Sequence, residues 1–119
     1  MTVFVPDMAR LVQATADHLE HELLPTLEGY HRFHTRVCVN VLRIVQRQAE
    51  QGAALEAAEW ARLRELLAST EALPALNETL VRQLDDGSLP LDAPGLAAHL
   101  QATLGDALAI NNPRWIGKP

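Results

Sequence analysis

From about residue 8 to about residue 110, apolar residues recur every three or four positions and never alternate with polar ones for long. That is the period of a helix, and it confines the chain to helices joined by turns. Composition points the same way. Hydrophobic residues make up 48% of the chain but aromatic ones only 4%. The core must therefore be built from Leu, Val and Ala, a mixture that favours helix over sheet. At 119 residues the chain is one domain's worth of sequence, spanning 1–119, and can bury a core without disulfides or metal.

Proline, glycine and capping residues divide the pattern. Asp7 suits an N-cap for a first helix carrying Met8, Leu11, Val12, Thr15, Leu19 and Leu23 inward; Pro25 ends or kinks it and Gly29 closes the segment. A second helix runs from about 30 to 51, with Gly52 as its stop. A third covers about 53–68 with Leu55, Leu63, Leu66 and Leu67 inside. Ser69 or Thr70 caps a fourth bearing Leu73, Leu76, Leu80 and Leu84, which Gly87 ends. After the irregular "DGSLPLDAPG", Asp92 caps a fifth helix with Leu96, Leu100, Leu104 and Leu108 inward. The expectation is an all-α, single-domain bundle of about five helices with a C-terminal tail over about 111–119.

Several function classes are disfavoured. A net charge of −5, with Lys118 the only lysine, argues against nucleic-acid binding. Cys38 is the only cysteine, which excludes an internal disulfide and any Cys-pair metal site. No apolar run approaches the roughly 18 residues of a membrane span. "MTVFVPDMARL" lacks the basic start and cleavage site of a signal peptide, so the expected location is cytoplasmic. No phosphate loop, nucleophile elbow, zinc-protease motif or dinucleotide fingerprint is present, so nothing recommends an enzyme or a cofactor. His18 and His21, and again His31 and His34, have i,i+3 spacing, but such pairs are a weak metal signal and Gly29 interrupts the Glu28–His31 pattern. These histidines read as surface or structural, with no metal site; His99 carries no inference.

The stretch "GYHRFHTRVCVN", residues 29–40, concentrates chemistry on the second helix. At about 100° per residue with Arg32 as zero, Arg36, Arg43 and Arg47 fall within roughly 60° and Asn40 near 80°. Phe33, Val37, Cys38, Val41, Leu42, Ile44 and Val45 fill the arc from about 100° to 280°, with His34 near 200°. Two readings of the arginine stripe stand open. It is neutralised internally, by Glu56, Glu59, Glu65 or solvent, or it receives the oxygens of an anion. His34, amid the apolar arc, reads as a core histidine; it is also the only candidate acid or base. In the tail, Asn112, Pro113, Arg114 and Trp115 follow the last helix directly. Trp115 should dock on its own bundle or anchor a partner.

The segments "LLPTL", "RFHTRVCVNVLRIVQRQ", "ARLRELL", "ALNETLVRQLDDGSL" and "LAAHLQATLGDALAINNPRW" resemble a bacterial family known as a domain of unknown function. Its most specific marks here are Phe33, His34, Arg36, Val37 and Asn40, then Asn112, Pro113, Arg114 and Trp115. Where members carry Arg-Glu late in the second helix, this chain has Arg47–Gln48. The resemblance implies small helical proteins encoded beside an aminoglycoside-phosphotransferase-like kinase and an acyl-CoA dehydrogenase, with no established catalytic residues. The leading expectation is therefore a non-catalytic accessory protein that binds such a partner and a second copy of itself. Its site residues are Arg36, Asn40, Arg43, Arg47, Asn112, Arg114 and Trp115. The alternative is a binder or enzyme for a phosphorylated or CoA-linked small anion, held by Arg36, Asn40, Arg43 and Arg114 with His34 as acid or base.

Overall fold

A computed structural model describes residues 6–116. Among these the chain is all-helical and contains no strand. Helix α1 spans Met8–Asp17, followed by a π-helical turn at His18–Leu23 and a 3-10 turn at Leu24–Thr26. Helix α2 spans Gly29–Leu67, α3 Leu73–Asp86 and α4 Leu96–Asn111, with a 3-10 turn at Pro113–Trp115. The described residues divide into two compact units, one comprising residues 6–52 together with 110–112, the other residues 53–109 with 113–116. No helix among the described residues is long and apolar enough to cross a membrane.

There are four α-helices where the sequence suggested about five. The expected second and third helices are one helix of 39 residues that runs through Gly52. A glycine in a helix interior costs only about 1 kcal/mol relative to alanine, and the Ala, Leu, Gln and Glu on both sides outweigh it. A glycine stops a helix by adopting the left-handed backbone, and Gly52 does not. The left-handed position is Ala68, with φ 50°, where Ser69 N–H returns to the Arg64 carbonyl at 3.2 Å. At Gly87, by contrast, the expected stop is present, with φ 79°.

The starts of two helices also differ from expectation. Helix α3 begins after Ala72 without a side-chain cap, its first turn set by Pro74, and neither Ser69 nor Thr70 serves. Helix α4 begins at Leu96 and not beside Asp92, because residues 90–96 are used in two tight turns: Ala93 N–H to Pro90 O at 3.0 Å and Leu96 N–H to Ala93 O at 3.1 Å. Helix α1 starts as expected, the Asp7 carboxylate accepting the Arg10 N–H at 2.9 Å.

In the first unit Ala16, Leu24, Val39 and Ile110 are buried. In the second, Leu63, Leu76, Leu80 and Leu96 form a leucine core, closed by Trp60, Leu66, Leu67, Leu73, Leu84 and Leu89. Trp60 seals one end, its Nε1–H donating to the Glu71 carbonyl at 2.8 Å while the Arg64 guanidinium lies 4.4 Å from its ring centre.

These helix ends make a paired prediction. Gly52→Ala should stabilise by about 0.5–1 kcal/mol, since a Cβ there meets only the movable amide end of Gln48. Ala68→Gly should gain about the same, by relieving the left-handed alanine. Both should raise the urea midpoint; a fall in the first would mean that α2 breaks at 52.

Candidate functional site

In the first unit, helix α2 is oriented opposite to what its hydrophobicity suggests. Val39, which lies about 20° from Arg32 on the arginine side, is only 3% exposed. The arginine side therefore faces the interior of its own unit. Arg43 is the centre of that contact. Its Nη2 donates to Asp17 Oδ1 at 2.7 Å and Glu20 Oε1 at 2.8 Å, and its Nη1 to Gln46 Oε1 at 3.1 Å. The hydrogen bond from Arg43 holds the Glu20 carboxyl below its ordinary value, and the same bonds raise Arg43.

Two other stripe arginines, Arg47 and Arg32, meet carbonyls at the ends of helical segments. Arg47 Nε donates to the Ile110 carbonyl at 2.7 Å, and its Nη2 to Asn111 at 3.5 Å, meeting the last carbonyls of α4. Arg32 Nη1 reaches Leu24 O at 3.2 Å and Leu27 O at 3.4 Å. The acids involved are Asp17 and Glu20, not Glu56, Glu59 and Glu65. Those three lie 13 or more residues beyond Arg43 on the same helix, about 20 Å or more away. Arg36 and Asn40 are exposed.

Within the first unit most of the apolar arc of α2 consequently points outward. Tyr30 is 70% exposed, Phe33 66%, Val37 43%, Val41 52% and Val45 40%. His34 and Cys38 lie on the same surface, also exposed. The expectation of a core His34 fails with the helix orientation. Its ring stacks at a tilt on Tyr30, centroids 4.1 Å apart, and meets Phe33 edge-on at 5.2 Å.

In the tail, Asn112 is half-buried, Arg114 is exposed, and Trp115 is 63% exposed instead of docked. His18, His21 and His31 are exposed, and no group of three His, Cys, Asp or Glu among the described residues could hold a metal ion.

Sequence reasoning passed over the best-built polar cluster. Helix α4 turns the row Leu96, His99, Thr103 and Asp106 inward, while Leu100, Leu104 and Leu108 are 42%, 66% and 38% exposed. Of the four leucines expected inside, only Leu96 is buried. Arg62 is the reason. Its Nε donates to His99 Nδ1 at 3.2 Å and its Nη2 to Thr103 Oγ1 at 3.3 Å, with Asp106 Oδ2 at 3.5 Å. His99 is 3% exposed, and burial first, then the Arg62 charge, lowers its pKa. Because Nδ1 accepts a hydrogen bond, the neutral ring carries its proton on Nε2. Arg62 and His99 line a cavity of about 450 Å³ with Glu65, Leu66, Gly95 and Ala98. The 3–4–3 spacing of residues 96, 99, 103 and 106 was the available signal, hidden because three of its four members are polar.

With this geometry in place, comparison adds one finding. A family model described as a domain of unknown function, DUF6285, matches residues 25–115. No curated protein and no solved structure matches the chain.

The buried His99 makes stability pH-dependent. Its folded pKa lies below the ordinary 6.5, so the unfolded chain takes the proton first as pH falls. The stability that neutral His99 contributes is present above pH 6.5 and should be lost as pH falls through the lower folded value. Urea midpoints at pH 7.5 and 5.5 should differ in the wild type and differ less in His99→Gln. An equal difference in both would remove His99 as the cause.

Proposed function

The chain belongs to the DUF6285 family, and from that premise we propose that it is a non-catalytic, cytoplasmic interaction module for a neighbouring enzyme. The observation that carries this reading is the outward leucine row of α4, Leu100, Leu104 and Leu108, facing away from the Arg62 cluster. An exposed row at i, i+4 and i+8 is one helix face prepared for another apolar surface. The same unit carries exposed Trp115 and Ile116 at the chain's end, and tryptophan and arginine are the favoured anchors of protein interfaces, which gives Arg114 and Trp115 a role. The resemblance to bacterial proteins encoded beside a kinase-like phosphotransferase and an acyl-CoA dehydrogenase names the partners to test first.

A second reading is supported by the cavity at Arg62 and His99. A guanidinium and an Nε2–H donor beside a recess of about 450 Å³ suit a small anion, such as the phosphate or carboxylate of a phosphorylated or CoA-linked compound. It moves the small-molecule hypothesis off the stripe of α2, where Arg43 and Arg47 are already engaged.

Calorimetry against each purified neighbouring enzyme separates the readings. Leu104→Glu and Trp115→Ala should each weaken partner binding by about tenfold or more, with the helical signal unchanged. Failure of both enzymes to bind, together with an Arg62-dependent thermal shift on adding inorganic phosphate or CoA, would favour the ligand reading instead.

A further inference from the structure

The outward face of α2 lies in the other unit and is not used by the function proposed above. We propose that it is covered by a second copy of this chain, in an antiparallel α2–α2 pair whose two-fold axis passes beside residue 39.

The spacing carries the first part. Tyr30, His34, Val37, Val41, Ile44 and Gln48 follow one another at steps of 4, 3, 4, 3 and 4 residues, the seam of a two-helix coiled coil. All but the half-buried Ile44 are exposed, so the seam is on the surface and not against the chain's own core. Phe33, 66% exposed, and Val45, 40% exposed, flank it on either side.

The register carries the second. Turned about residue 39, Tyr30 meets Gln48 of the other copy, His34 meets Ile44 and Val37 meets Val41. Each layer of the seam sets a larger or hydrogen-bonding side chain against one that fits it. The Tyr30 hydroxyl finds the Gln48 amide, the two valines form the dry centre, and every seam position has a mate. A parallel pair would stack Tyr30 on Tyr30 and Gln48 on Gln48, and supports no such match.

Charge and area carry the third. From residue 30 to 52, the arc between about 100° and 280° holds no Asp, Glu, Lys or Arg. A second copy therefore meets no like charge across the seam, whereas a charged partner would find no counter-ion there. The exposed fractions of Tyr30, Phe33, Val37, Val41 and Val45 amount to about 450 Å² of apolar side chain per copy. That equals the largest apolar patch of a typical monomer, about 300–600 Å², which is often functional. It is also a little over half of the roughly 800 Å² that each partner of a standard interface buries, the usual apolar share. Cys38 and Asn40, on the two flanks at the axis, each lie beside their own counterpart.

The test uses the layer Val37–Val41, which occurs twice in the pair. Sedimentation or native mass spectrometry at ~10 µM should show a dimer for the wild type. Val37→Glu alone and Val41→Lys alone should each be monomeric with an unchanged helical circular dichroism signal, because each places two charges against valine. Mixed in equal amounts, they should recover a heterodimer, since one layer then holds Glu against Lys and the other keeps its valines. A short bis-maleimide should link wild-type Cys38 to Cys38, and Cys38→Ser should abolish the product. Leu104→Glu, the partner-face variant, should leave the dimer intact, so loss of the enzyme partner and loss of self-association are read separately. A wild type that is monomeric at ~100 µM, a dimer indifferent to Val37→Glu, or a mixture that stays monomeric would overturn the pairing.

Discussion

The arrangement of the first unit depends on where Arg43 goes. One guanidinium bridges Asp17 and Glu20 on the preceding segment, and the turn of helix that it anchors also buries Val39. With that side of α2 held inward, the orientation of its other residues within the first unit follows from 3.6-residue geometry. Arg32 and Arg47 come to face carbonyls at the ends of helical segments, where a cation adds to or completes the pairing of the last acceptors. Phe33, Val37, Val41 and Val45 are left facing water. Isolated surface ion pairs contribute little to stability. Here the partly sheltered Arg43 matters more as a positional constraint than as a source of energy.

The second unit repeats the theme with different chemistry. Arg62 crosses to the polar row of α4 and holds His99, Thr103 and Asp106 against the leucine core, which sends Leu100, Leu104 and Leu108 outward. In each unit an arginine turns a helix so that polar groups are satisfied inside and apolar ones are presented outside. A buried polar group without a partner costs more than an exposed valine or leucine, so this choice is favourable even in a lone chain. The exposed faces that result are large and continuous, and large continuous faces are what partners cover.

Much of the fold was readable from residues. Asp7 as a cap, Gly87 as a stop, the inward leucines of α3 and of the end of α2, and the all-helical class all came from local periodicity and end chemistry. The helix count was overestimated because Gly52 resembles a stop in composition but lacks the left-handed backbone that makes one, while Ala68 adopts that backbone without resembling a stop. The arginine stripe was visible as a stripe, and its internal partners were anticipated in kind but not in identity. Asp17 and Glu20 are 26 and 23 residues away in sequence and become neighbours only when the chain turns back. The Arg62–His99 cluster was not seen at all, because 37 residues separate its members and neither is unusual alone.

What the sequence determined by itself was therefore what depends on near neighbours: the helical class, some helix ends such as Asp7 and Gly87, the faces each helix possesses and the absence of charge along one of them. It also carried the family, through runs from about residue 25 to Trp115. Which face of α2 and α4 points inward was decided only by tertiary structure. A helix with an apolar face and an arginine face can bury either one, and its own residues do not state which. The choice belongs to the partners that folding brings within reach, Asp17 and Glu20 for Arg43 and the polar row of α4 for Arg62, since a satisfied guanidinium can be sheltered where an unpaired one cannot.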